Sequence, residues 1–389
     1  MKIAVIGSGI VGISSAYELA KSGYDVTVFD AESYPAMKTS YANGGQISVS
    51  NSEVWNSWSN IFKAIKWLGK KDAPLLFDPS FDWDKFVWLT KFLNVVIKNQ
   101  GDANTATTIK LGLQSRELYK EIIREERIKF DYNQAGILHF YKDKNYFINA
   151  IKIGDVYRKN GCQWTVLTPT EVAGEEPKLN MKGVLGGTIT QDDCVGDIHK
   201  YCWELHNVLR RKYDVKFEFD QSIDDPRVLM PQFDKVVISN GVDATRMTKK
   251  IGDKQLVYPV KGYSVTIYGN DEVVLPFRSL LDDQAKIVTS TLGNRFRVAG
   301  TAELAGHNWD IRADRVKPLL DWVKVNFPHI NTKDYISWAC LRPMTSNMLP
   351  IVKRSKLNNI YYHFGHGHLG WTLSPATAKQ LKELISNET

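Results

Sequence analysis

Four groups of residues in this sequence have types and spacing suited to chemistry. The first is Gly7-Ser8-Gly9-Ile10-Val11-Gly12, set between an apolar β-branched run and a stretch with helical spacing, with Asp30 and Ala31 closing the next apolar run. Gly7 permits a sharp strand-to-helix turn, Gly9 lets the backbone approach a pyrophosphate, and Gly12 lets the helix pack closely on the strand. The phosphates then meet free N–H groups and the positive end of the helix dipole. Asp30 is placed to accept hydrogen bonds from ribose hydroxyls. Strand, glycine turn, helix and acid together make a dinucleotide-binding fingerprint, which by itself does not separate FAD from NAD.

The second group is Arg342, inside Trp338-Ala-Cys-Leu-Arg-Pro-Met-Thr345. Pro343 biases it towards an extended backbone, and a guanidinium fork can hold a carboxylate by two parallel hydrogen bonds. The third is Gly365-His366-Gly367-His368-Leu369-Gly370-Trp371-Thr372, a glycine turn between an apolar strand and the last helix. A fourth stretch, Thr39-Ser40-Tyr-Ala-Asn43-Gly44-Gly45-Gln46, is small and amide-rich, which suits a loop whose backbone touches a flat polar ligand.

The elements that must position these groups follow from periodicity. Lys2–Ile6 and Asp25–Phe29 read as strands about a helix, and Lys235 to Val242 as a further buried strand ending at Asn240-Gly241. Helices are expected over residues 103–127, 145–159, 198–212 with Asp197 as N-cap, and 312–327; Thr168-Pro-Thr-Glu171 is a capping box. Short strands spaced from Tyr258 to Ala299 indicate an antiparallel sheet. Residues 51–98 are rich in Trp and Lys, and Ile61 to Leu68 reads as an amphipathic helix with a basic side. It either packs within a domain with its lysines in water or rests on a membrane interface.

Composition bounds the remainder. A chain of 389 residues suggests two domains. Its 43% hydrophobic and 24% charged residues are ordinary for a soluble globular protein. The net charge of +7 is scattered, with clusters only at Lys70-Lys71, Arg210-Arg211-Lys212 and Lys249-Lys250, so nucleic acid is not an expected partner. Four cysteines without metal or CxxC spacing suggest reduced thiols and no metal site. No secretory or transmembrane segment is expected, which places the chain in the cytoplasm or on the inner face of a membrane.

TSYANGGQ, Leu341-Arg342-Pro343 and GHGHLGWT, taken with the fingerprint, make the chain similar to the amino-acid-oxidising flavoproteins of the D-amino-acid oxidase and glycine oxidase family. Within that family it most resembles the bacterial D-amino-acid dehydrogenase small subunits. The resemblance implies FAD and a Rossmann-like α/β domain interrupted by an α+β substrate domain with an antiparallel sheet. It places residues 1–46, 186–256 and 339–389 in the FAD domain, and 47–185 and 257–338 in the substrate domain.

By the same likeness the flavin contacts are Gly7 to Gly12, Asp30, Ala31, Thr39, Ser40, Asn43 to Gln46, Arg342 and Gly365 to Thr372. Ile223 is expected against adenine and Asn240-Gly241 near the pyrophosphate. Arg342 is expected to clamp a carboxylate, with His366, Lys261 and Tyr263 as further catalytic candidates. Ala285 stands where the family carries an aromatic hydroxyl, implying a roomier or differently polar pocket. The implied reaction is hydride transfer from the α-carbon of a small amino acid, by this likeness a D-amino acid, to flavin N5, giving oxo acid and ammonia, with a quinone or other respiratory carrier as acceptor. An oxygen-using amino-acid, glycine or sarcosine oxidase, a proline or hydroxyproline dehydrogenase, an NAD-dependent dehydrogenase and a non-catalytic flavin-binding subunit are the alternatives.

Overall fold

The structure is a computed structural model that describes residues 1–67, 69, 73–269 and 274–387. Leu68, at the end of the expected basic helix, and the Lys70-Lys71 cluster lie outside the described residues.

The strand Lys2–Ile6 sits inside a sheet of six strands among the described residues, ordered 351–354, 360–364, 235–238, 2–6, 25–29 and 216–218. Every neighbouring pair is parallel except the first. Both faces are covered, so the strands read as continuous apolar runs. Ile3, Val5, Val26, Val28 and Val237 pack beneath the helices Ile10–Lys21, Ile198–Lys212 and Gly370–Ser386. Ala4, Ile6, Val236 and Ile238 face the opposite layer with Leu229, Ala244 and Met247. The expected caps are present: Asp197 accepts from the His199 and Lys200 amides, and Thr168 and Glu171 cap one another reciprocally.

A second sheet, nine-stranded among the described residues, runs in the order 335–344, 258–268, 295–304, 287–292, 279–282, 137–141, 186–190 and 165–167, with 75–77 joined to 295–304. It is antiparallel apart from the pairings of 279–282 with 137–141 and of 75–77 with 295–304. Side chains alternate across it. Leu138, Phe140, Leu280, Val298 and Val265 pack beneath the helix Ala313–Asn326. Arg342, Cys340, Thr301, Ala299, Leu281, His139 and Tyr141 line a cavity on the other face.

Two boundaries differ from expectation. Gly186–Thr190 and Tyr335–Met344 are hydrogen-bonded into the second sheet, whereas the resemblance places residues from 186 and from 339 in the nucleotide domain. A strand's sheet is chosen by partners far away in sequence. Gly187 shows how: a Cβ there would lie 2.7 Å from the His139 carbonyl oxygen, so its lack of a side chain admits the neighbouring strand.

The Trp-rich region forms the helices Trp58–Trp67 and Trp83–Ile97. The first has no buried residue and exposes Trp58, Phe62 and Ile65. The second buries Trp88, whose indole N–H donates to the Met344 carbonyl at 2.8 Å. Among the described residues, no helix is long and apolar enough to cross a membrane.

Candidate active site

At the first turn the backbone is arranged for an anion. Gly7 has φ +104°, and a Cβ on it would lie 2.7 Å from the Ser239 carbonyl oxygen; a Cβ on Gly12 would collide with the Gly7 carbonyl. The helix that begins at Ile10 has no side-chain cap and no acid in its first turn, so its positive end is unneutralised. Ser40 Oγ accepts from the Ile10 amide at 3.1 Å, tying the Thr39–Gln46 loop to this turn. Asp30 accepts from the Ser8 amide at 2.5 Å and its hydroxyl at 2.6 Å, and its other oxygen from the Glu32 amide beyond Ala31. Beside the turn, Ser239 Oγ and Asn240 Oδ1 are buried without partners among the described residues, and Gly241 has φ +63°. Buried polar atoms of this kind are normally satisfied. A bare helix end, tight glycines and orphaned acceptors and donors fit the diphosphate and ribose of a dinucleotide. Ile223 and Phe29 both pack against the layer beneath, and the Gln221 amide donates to the Asp30 carbonyl, so this segment runs along the same strand end.

A cavity of about 810 Å³ opens from Ile10 between the two sheets. Thr39, Ser40, Asn43, Gly44 and Gln46 line it from one loop and Gly367 to Thr372 from another. These loops are stitched together: Trp371 Nε1 donates to the Gly45 carbonyl, and the Ser48 amide to Thr372 Oγ1. Gly44 approaches Val288 so closely that a Cβ would collide with it. The helix Gly370–Ser386 likewise starts without a side-chain cap or an acid. Pro375 has no N–H to give to the Trp371 carbonyl, and Tyr119 Oη donates to that oxygen instead, at 2.5 Å.

Arg342 reaches the cavity across the neighbouring strand. Its guanidinium lies over Gly262, where a Cβ would overlap it, and donates to the Thr301 carbonyl at 3.0 Å. Among the described residues it forms no ion pair, and burial lowers its pKa. A cation held inside a protein without a counter-charge is a receptor for an anion.

The other catalytic candidates are placed differently. Lys261 and Glu303 are buried together; Lys261 Nζ donates to Asn308 Oδ1 at 2.7 Å and does not line the cavity. Tyr263 reaches the cavity edge, but its hydroxyl donates to Glu303 at 2.7 Å. His366 does not line the cavity: its Nε2 is 2.9 Å from Thr377 Oγ1, which also contacts His363, and burial pushes its pKa down to about 3. Gly365, with φ +80°, packs against Thr345 behind it. His368 does line the cavity, stacked on Trp55 with ring centroids 5.1 Å apart.

One wall went unrecognised in the sequence. His139 and Tyr141, two residues apart on one strand and hence on one face, both hydrogen-bond Asp283, at 3.1 and 2.8 Å. His139 Nε2 lies 3.2 Å from Ser50 Oγ. Burial would raise the Asp283 carboxyl, but the hydrogen bond and charge of His139, with Lys286 and Tyr141, hold it well below the carboxylate range. Glu53 also lines the cavity, and there burial raises its pKa. The alternation of polar and apolar residues in Ile137–Tyr141 was the available signal. Ala285 belongs to the opposite side: it sits in the turn after Asp282 and packs on the helix-covered core, so it does not shape the pocket.

A dinucleotide cradle that leads into a cavity with an arginine unpaired by any acid among the described residues suits a nucleotide-dependent enzyme that takes an anionic substrate. Residues 2–384 match the DAO family, FAD dependent oxidoreductase, and the chain belongs to that family. Its cofactor is FAD. It is 42% identical over 405 residues to a Mesorhizobium japonicum protein named D-amino acid dehydrogenase 3, spanning 100% of this chain and 97% of that one. It is 36% identical over 406 residues to D-amino acid dehydrogenase of Paramagnetospirillum magneticum, spanning 99% and 95%. Glycine oxidase from Geobacillus kaustophilus shares the fold with a TM-score of 0.77 at 20% identity, over 99% of this chain and 94% of that one. L-proline dehydrogenase from P. horikoshii does so with a TM-score of 0.76 at 17% identity, over 100% and 94%.

Proposed function

We propose that this chain is an FAD-dependent dehydrogenase of small D-amino acids, oxidising the α-carbon to an imino acid that water converts to an oxo acid and ammonia. The observation that carries the reading is Arg342, a guanidinium in the cavity wall without an acidic partner among the described residues. The two relatives' names supply the substrate class. When bound, FAD supplies the acceptor for the two electrons and the hydrogen leaving the α-carbon.

The protein's own part is positioning and exclusion. Arg342 fixes the carboxylate, and the Gly262 surface beneath it sets the plane of the fork. The uncapped start of Gly370–Ser386 puts positive potential against the cavity. The apolar side chains of Trp55, Trp88 and Phe92 exclude water, while Asp283, His139 and Tyr141 close the polar side. Trp58, Phe62 and Ile65, exposed on the helix that also carries Lys66, suit a peripheral contact with the membrane that houses a quinone-type acceptor.

Anaerobic mixing of the yellow holoenzyme with D- and L-amino acids, sarcosine and proline tests the reading. Bleaching by small D-amino acids is expected. Bleaching by none of the D-amino acids removes it.

A further inference from the structure

We propose that His368 receives the substrate's amino group, accepting a hydrogen bond from it at Nε2 while Arg342 holds the carboxylate. The proposal rests on the cavity being an amino-acid site. An antiparallel bridge joins Met344 to His366. The chain then enters the short helical turn Gly367–Leu369, which carries His368 to the cavity that Arg342 also lines. Gly367 makes this approach workable, since it has φ +57° and a Cβ on it would lie 2.6 Å from Met344 Sδ. Both side chains line the cavity.

The ring is also fixed in plane and in proton position. It stacks on Trp55 at an interplanar angle of 21°. The Asn51 main chain hydrogen-bonds it, whereas Nε2 is buried without a partner among the described residues. The Asn51 contact favours a proton on the nitrogen that makes it, which leaves Nε2 with its lone pair. The charges that face the ring are Arg342 and Lys286, both of which disfavour an imidazolium; burial, then Arg342, pushes its pKa down to about 4. His368 is therefore neutral at pH 7. A substrate amine has protons to donate, and arginine and lysine have none of the acceptors it needs. His366 cannot take this part, because its Nε2 is engaged by Thr377 and its ring does not reach the cavity.

The experiment compares holoenzyme affinities for α-aminoisobutyrate, which has no hydrogen on its α-carbon and so is not oxidised, and for isobutyrate, which lacks the amine. Binding is read from the flavin absorbance. The wild type should prefer the amine, His368→Ala should lose about tenfold of that preference with isobutyrate affinity retained, and His368→Gln, which keeps an acceptor, should restore part of it. A preference unchanged in His368→Ala, or a wild type indifferent to the amine, overturns the proposal. Because this measurement needs no turnover, it is read separately from the bleaching test, on which the dehydrogenase reading alone depends.

Discussion

The turns at Gly7–Gly12 and at Gly365–Gly370 are built alike: a buried parallel strand, glycines at positive φ, and a helix that starts without a side-chain cap or an acid. The first presents only backbone to its ligand. The second carries two histidines, one turned inward to Thr377 and one outward to the cavity. A diphosphate is met adequately by N–H groups and a helix dipole whatever the side chains are. A small substrate needs directional groups, and those come from several strands. The comparison separates recognition by main chain from recognition by convergence.

The largest expected effect tests the main-chain end. Gly12→Ala puts a methyl into the Gly7 carbonyl, and overpacking of that kind should cost about 3 kcal/mol or more, with loss of soluble yellow protein. Wild-type melting and flavin content in that variant would show the cradle to be looser than described. At the converging end, Arg342→Ala should raise KM about 100-fold with the bound flavin unchanged. Unaltered saturation kinetics would sink the carboxylate assignment. The two histidines should then divide cleanly: His366→Ala should lower stability by about 1–3 kcal/mol with little change in KM, since it strips a buried contact from Thr377. A large KM effect with an unchanged melting temperature would reverse the roles of His366 and His368.

Acid gives a further handle on the inward histidine. His363 and His366 are held neutral by burial, His366 with a pKa of about 3, whereas an unfolded histidine titrates near 6.5. Below about pH 6.5 the unfolded chain binds protons that the folded one does not, so these groups make stability fall as pH falls, by up to about 1.4 kcal/mol per pH unit each. Denaturant titrations at pH 7 and pH 5 should show a smaller loss for His366→Asn than for the wild type. Equal losses would mean that His366 is not held neutral. The smallest effect is Tyr119→Phe, which removes the donor to the Trp371 carbonyl and should cost about 1 kcal/mol in thermal denaturation.

Much of this was legible in the sequence because local spacing encodes it. The glycine fingerprint, the Asp197 cap and the Thr168 capping box each depend on neighbours a few residues away. Arg342 stands out by its type and its proline, but its seat over Gly262 is visible only in the fold. What stayed hidden depends on strand pairing. Lys261 and Tyr263 stand in a segment that borders the flavin domain, yet there it is Ser264 whose Oγ donates to the Ala42 carbonyl, while Lys261 and the Tyr263 hydroxyl turn to Glu303. A register irregularity between Lys261 and Tyr263 adds to the difficulty. The membership of Gly186–Thr190 in the second sheet and the meeting of His139 with Asp283 are fixed by hydrogen bonds over long separations.

Gly262 has a meaning beyond its own strand. Because its missing side chain is the seat of the Arg342 guanidinium, the two positions form a lock in which the small residue is as informative as the charged one. A related chain that keeps the arginine but fills the glycine position would have to turn its guanidinium elsewhere. Such a chain would keep the fold of this enzyme and lose the carboxylate clamp proposed for Arg342.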